Sequence, residues 1–186
     1  MESLDQKIEQ NTRELENIAM YDRLTGLPNR NMLNYQLKKL LATMKRESNK
    51  LTVMFVDFDK FRKINDTHGH DIGDAFLINA AQRIRGCLRD SDMLFRFGAD
   101  EFVVVFLEQS ISEGAPILAT KLLNSFREPI AVDELLFYTS SSIGIASTED
   151  ALILLDDLVR QSDMAMYASK DSGGDKYSTF SDDMQK

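Results

Sequence analysis

The stretch Met93-Leu94-Phe95-Arg96-Phe97-Gly98-Ala99-Asp100-Glu101-Phe102-Val103-Val104-Val105-Phe106 decides the fold. Two strand-like apolar runs flank a short, glycine-led, acidic turn, the pattern of a β-hairpin. Upstream, Leu51-Thr52-Val53-Met54-Phe55-Val56 is a continuous apolar run that ends in Asp57. Such a run without alternation reads as a central strand buried on both faces. If the hairpin pairs beside that strand, Asp57, Asp100 and Glu101 converge at one sheet edge.

Helices fill the intervals. Asn29 can cap a helix reaching about Glu47, with Met32, Leu33, Leu37, Leu40, Leu41 and Met44 on its apolar side. Residues 57–73 read as a polar connection, followed by a helix over about Asp71–Cys87 with Ala75, Phe76, Ile78, Ala80 and Ile84 inward. After the hairpin come a helix near Ser112–Arg127 and a second strand pair, Ile130–Val132 and Leu135–Ala146, turning at Asp133-Glu134. A helix over about Leu152–Ser169, ended by Gly173-Gly174, leads into a last strand, Tyr177–Phe180. The order predicts an α/β (α+β) sandwich, a mixed central β-sheet flanked by helices. Its inner β-α-β-β-α-β succession is the ferredoxin-like plan.

Residues 1–20 differ from the rest. They lack Gly and Pro, and Leu4, Ile8, Leu15 and Ile18 fall on one face with Asn11 in the same stripe. The steps match a heptad seam. Two heptads fit a coiled coil and a single amphipathic capping helix equally well. The expected organisation is an N-terminal helix over 1–20, one domain over 21–180 and a linker over 181–186.

With 186 residues, 43% of them hydrophobic, the chain can bury a core of its own. A formal charge of −8 argues against sequence-independent nucleic-acid binding, which needs Lys and Arg to displace counterions. It also means that a phosphorylated ligand would need a cation beside it. The lone Cys87 excludes a disulfide framework and a multi-cysteine zinc site. No apolar run is long enough to span a bilayer, and a cytoplasmic protein is expected.

Three converging carboxylates supply hard oxygen ligands suited to Mg²⁺ and to phosphoryl or nucleotidyl transfer. Acidic turns and strand-end aspartates are also common without any ligand. The segment Asn65-Asp66-Thr67-His68-Gly69-His70-Asp71-Ile72-Gly73-Asp74 leads into a helix. Its backbone N–H groups can meet phosphate, and an Asp or Asn side chain can read the edge of guanine. Asp71 or Asp74 serves equally as a helix cap, and His68 and His70 read as loop hydrogen-bonders.

Taken together, the chain resembles the GGDEF family of diguanylate cyclases from Tyr21 to Phe180. The resemblance rests on Asp22-Arg23-Leu24-Thr25-Gly26-Leu27-Pro28-Asn29-Arg30, on Asp57-Phe58-Asp59-Lys60-Phe61-Arg62-Lys63-Ile64-Asn65-Asp66, and on Gly69-His70 and Gly73-Asp74. Arg96-Phe97-Gly98-Ala99-Asp100-Glu101-Phe102 stands for the signature. Ser142-Ile143-Gly144-Ile145-Ala146 and Ser162-Asp163-Met164-Ala165-Met166-Tyr167-Ala168-Ser169-Lys170 complete it.

The resemblance implies a nucleotidyl-cyclase core that condenses two GTP into cyclic di-GMP across a domain dimer. It implies that Asp57, the Phe58 carbonyl and Asp100 hold Mg²⁺, with Mn²⁺ as a substitute. Glu101 would hold a second metal or deprotonate the attacking 3′-hydroxyl, and Arg62, where the family usually has Lys, would steady transferring phosphate. Asn65 and Asp74 would recognise guanine beside His70, with Gly98 and Ala99 against the nucleotide and Lys170 on the triphosphate. Arg89 and Asp92 match an inhibitory RxxD site for cyclic di-GMP. An upstream sensor and a downstream EAL domain are implied partners in a longer protein.

Two departures stand out. Ala99 replaces a glycine that allows positive φ, with an expected strain of about 1 kcal/mol or more. Gly174 and Asp175 replace an Arg and an Asn, and the lost charge-assisted hydrogen bond to phosphate is typically worth ~1.5–3 kcal/mol. The implied alternatives are a cyclase of lowered turnover and an inactive domain that senses cyclic di-GMP or GTP.

Overall fold

A computed structural model describes residues 3–44, 49–109, 111 and 113–185. The helices are α1 (Leu4–Met20), α2 (Arg30–Met44), α3 (Phe61–His68), α4 (His70–Cys87), α5 (Gly114–Ser125) and α6 (Leu155–Asp171). The strands are β1 (Asn49–Phe58), β2 (Met93–Arg96), β3 (Glu101–Gln109), β4 (Ile130–Val132), β5 (Leu135–Phe137), β6 (Ser141–Thr148) and β7 (Lys176–Thr179). A short 3-10 helix, Asp182–Gln185, follows.

The main sheet has the order β2-β3-β1-β6-β7, and β4 and β5 form a separate ribbon. β1 is antiparallel to both β3 and β6, while β6 and β7 run parallel, so the sheet is mixed as expected. Alternate residues of β1 enter two cores. Met54, Val56 and Phe58 pack with α4 and α5 residues such as Phe76, Ile84 and Leu122. Leu51, Val53 and Phe55 pack with Leu33, Leu37 and Leu41 of α2 and with Leu158 and Met166 of α6. Both faces are covered, which is why the strand reads as an unbroken apolar run. The two edge strands, β2 and β7, have only 4 residues each, and short edges resist pairing with other chains.

Three expectations change. Residues 57–73 are not one polar connection, since α3 occupies Phe61–His68 and Asn65 lies within it. Gly69, at φ +87, lets the chain turn from α3 into α4, a backbone state open to glycine. On α4 Leu77 is buried, whereas Ala75 and Ile78 are only half-buried. The strand expected over Leu135–Ala146 splits at residues 138–140, and only its second part, β6, joins the main sheet. The end near Glu47 and the start at Ser112 lie outside the described residues. Asn29 caps α2 as expected, its Oδ1 accepting from the Asn31 and Met32 N–H groups at 2.9 and 3.2 Å.

Candidate active site

The register of β1 builds the site. Asp57 stands opposite Glu101 on β3 and opposite Ser142 on β6. The 98–100 turn of the hairpin therefore folds over the end of β1. Asp57 is buried, with 5% exposure, and its Oδ1 accepts no hydrogen bond. Its Oδ2 pairs with Lys170 Nζ at 2.8 Å. A buried carboxylate oxygen with no donor is costly unless something cationic meets it.

Burial pushes the Asp57 carboxyl up to about 7; Lys170 opposes that rise and the neighbouring Asp100 adds to it. Lys170 is itself held above its ordinary value: burial disfavours its charge, but Asp57, Asp100 and Asp59 outweigh burial. The two directions are compatible because one ammonium serves several carboxylates, leaving the cluster short of positive charge. Glu101 is raised too, by burial first and then by the charges of Asp163 and Asp100. Among the described residues, no three His, Cys, Asp or Glu side chains already stand in metal-holding geometry. The donor set nevertheless fits a hard cation, through the orphaned Oδ1 and the acidic excess that one lysine leaves unmet.

The signature turn is held from behind. Arg96 Nη1 donates to both Asp22 oxygens at 3.0 Å, and its Nη2 donates to the Ala99 carbonyl at 2.7 Å. Asp22 also accepts from the Thr25 N–H and hydroxyl at 2.8 and 2.7 Å, so Arg96 ties the 22–25 turn to the hairpin. Arg30 sits 4.6 Å from the Phe97 ring centroid on the same side. A Cβ at Gly98 would meet the Glu101 carboxylate, so a side chain there would displace Glu101. Ala99 corrects the expectation of strain: it is not among the non-glycine residues with positive φ, so its methyl carries no left-handed penalty.

On α3, Asn65 Oδ1 is buried without a partner. It lies over Gly73 of α4, where a Cβ would come within 1.8 Å of it. Asp74 and His70 are exposed at the start of α4. Arg62 points outward beside Asp66 at 3.8 Å, with a side chain 94% exposed, and does not reach Asp57. The structure thus gathers Asp57, Asp100, Glu101 and Lys170, and sets Asn65 against Gly73. Arg62, His70 and Asp74 stand at the surface of the neighbouring helices. Arg89 and Asp92 lie at the other end of β2, where Asp92 Oδ2 accepts the Arg89 backbone N–H at 2.8 Å.

Two carboxylates escaped the sequence reading although both sit inside quoted motifs. Asp59 accepts from Ser142 Oγ at 2.7 Å, Ser140 Oγ at 2.6 Å and the Asp175 N–H at 3.0 Å. It fastens the α6–β7 loop to β1 and β6. Gly174, at φ +73, passes so close that a Cβ would meet this carboxylate at 2.8–3.1 Å. Asp163 has a buried oxygen without a partner and adds negative charge beside Glu101. Their signal was the spacing Asp57-x-Asp59 and the acid one helical turn or more before Lys170.

The model of the family described as "Diguanylate cyclase, GGDEF domain" matches residues 19–176. The bifunctional diguanylate cyclase/cyclic di-GMP phosphodiesterase MucR of Pseudomonas aeruginosa is 37% identical over 172 residues, 92% of this chain and 25% of that protein. The diguanylate cyclase TpbB of the same species is 36% identical over 171 residues, 91% of this chain and 39% of that protein. A solved structure comprising only the GGDEF domain of TpbB has a TM-score of 0.80 at 35% identity, covering 89% of this chain and 96% of that one. The chain therefore spans well under half the length of these curated relatives. The mixed sheet, its flanking helices and the match over residues 19–176 place this chain in the GGDEF diguanylate-cyclase domain family.

Proposed function

We propose that this domain is a diguanylate cyclase, condensing two GTP into cyclic di-GMP and two pyrophosphates. The observation that carries the reading is the buried, unpartnered Oδ1 of Asp57 beside Asp100 and Lys170. Asp57, the Phe58 carbonyl and Asp100 would hold Mg²⁺ or Mn²⁺. The ion's contribution, once bound, is to offset charge on the triphosphate and polarise the reacting phosphoryl group. Lys170 then turns from Asp57 to the phosphate oxygens. Glu101, whose affinity for protons is raised by burial and by the charges of Asp163 and Asp100, takes the proton of the attacking 3′-hydroxyl. That oxygen bonds to the α-phosphorus of the facing GTP, the bond to the bridging β-phosphate oxygen breaks, and pyrophosphate leaves. Arg62 steadies the transferring phosphate from α3.

Asn65 Oδ1 and the Asp74 carboxylate match the N–H donors on the guanine edge, with His70 beside them. Each domain holds one GTP, so two copies must face each other, and the exposed stripe of α1 provides the means of pairing. Arg89 and Asp92 bind the product and restrain turnover. In a longer protein the domain sits in the cytoplasm between an upstream sensor and a downstream EAL domain. Relatives named for synthesis and for breakdown of cyclic di-GMP match at nearly equal identity, which supports a place in such signalling. No helix among the described residues is long and apolar enough to cross a membrane.

A second reading, an inactive module that senses cyclic di-GMP or GTP, draws on the absence of any cation at Gly174. Asp57→Ala separates the two. On the first reading it abolishes divalent-dependent GTP turnover in a folded protein, and unchanged turnover would refute the metal assignment.

A further inference from the structure

A cleft of about 690 Å³ opens on the flank of α3 away from Asn65. Its walls come from α3, the residues that follow α5, the link from β5 to β6 and the α6–β7 loop. Its volume falls in the range of small-molecule sites. Neither Asn65, His70 nor Asp74 lines it; Asp59 is the wall it shares with the Asp57 cluster. We propose that this cleft is a second ligand site, one that takes a nucleoside phosphate through Lys60, Lys63 and Arg127.

The charge pattern is the first argument. Lys60, Lys63 and Arg127 come from two separate parts of the chain and converge here. None has an ion-pair partner within 4.0 Å among the described residues, in a chain of formal charge −8. Asp59 faces the cleft, but two serine hydroxyls and the Asp175 N–H already engage its oxygens. Asp175 is the other carboxylate of the lining, so three cations face two carboxylates and the cleft keeps a net positive charge within an acidic chain. Two ammonium groups and a guanidinium converging in this way suit phosphate oxygens.

The second argument is the apolar half of the cleft. Phe126 and Phe137 are buried at its base, and the His68 ring stands edge-on to Phe137 at 5.2 Å. Tyr138, 78% exposed, lines the cleft and adds a flat ring open to solvent. Such a surface suits a ligand with a planar ring. Thirdly, Lys60 holds φ +61, a left-handed backbone that costs a non-glycine residue energy. That residue precedes α3 and lines the cleft.

The proposal does not depend on GTP turnover, and its test keeps the two apart. Adenosine 5′-monophosphate is the probe, because adenine lacks the paired donors that Asn65 and Asp74 would read. Titration calorimetry on the full chain, with and without added salt, measures binding; amide chemical-shift mapping locates it. Binding should weaken about tenfold or more in Lys63→Glu and Arg127→Glu, both exposed positions, and should weaken with salt. It should survive unchanged in Glu101→Gln and Asn65→Ala. No binding at millimolar probe would overturn the proposal. So would shifts centred on Asn65 and α4, an affinity indifferent to both charge reversals, or capture of an acidic peptide in place of the nucleotide.

Discussion

Asp57 combines burial, an unpartnered oxygen and a raised carboxyl, and that makes it testable without any substrate. Its carboxyl is raised from 3.8 to about 7 in the folded state, chiefly by burial. A raised carboxylate binds its proton more tightly folded than unfolded. Its contribution to stability is thus fully present below about pH 4 and is lost as pH rises through about 7. Without divalent ions, the unfolding midpoint should fall between pH 5 and pH 8, by on the order of 5 °C. Mg²⁺ should restore stability at pH 8 far more than at pH 5, and Asp57→Asn should flatten both responses. An equal pH slope in wild type and Asp57→Asn would contradict the assignment. Gly174 is the other telling residue. Gly174→Ala meets a carboxylate pinned by three donors and adopts an unfavourable φ, so it should cost about 1–2 kcal/mol, measured by urea unfolding.

At the level of elements, β6 and α6 approach so closely that Gly144 has no room for a side chain. A Cβ there would lie 2.0 Å from the Ser162 carbonyl and 2.1 Å from the Met166 N–H, both backbone atoms. Gly144→Ala should therefore force α6 off the sheet and displace Lys170 with it. The expected result is a destabilisation of several kcal/mol, about 3 or more, read by thermal melting, with a loss of near-ultraviolet ellipticity. The apolar runs of β1 and β3 were legible because burial on both faces leaves no alternation to misread. Helix α3 was not, since it buries only Phe61 and offers too little apolar periodicity. The Lys170–Asp57 pair was invisible, because nothing local joins two residues so far apart in sequence. Ala99 was misjudged for a different reason. A strain argument needs φ, and φ follows from how Arg96 and Asp22 hold the turn, not from the residue's own identity.

On the scale of the whole molecule, α1 is the odd part. Leu4, Ile8, Leu15 and Ile18 are 51–75% exposed, and α1 buries no residue of its own. A helix with such a stripe gains little from standing alone, and the 3-4 spacing suits a second copy. Removing residues 1–20 should convert a concentration-dependent dimer into a monomer by sedimentation. It should depress GTP turnover at least tenfold while cyclic di-GMP binding at Arg89 and Asp92 persists. Full turnover by the truncated monomer would contradict the pairing role.

On the proposed function, the carboxylates at the end of β1 and in the 98–100 turn perform nucleotidyl transfer. Purified protein at high concentration, incubated with GTP and Mg²⁺, tests it most directly, with products separated by chromatography. Cyclic di-GMP and pyrophosphate are expected from the wild type and neither from Glu101→Gln. Absence of product from a folded, dimeric wild type that still binds GTP would contradict it.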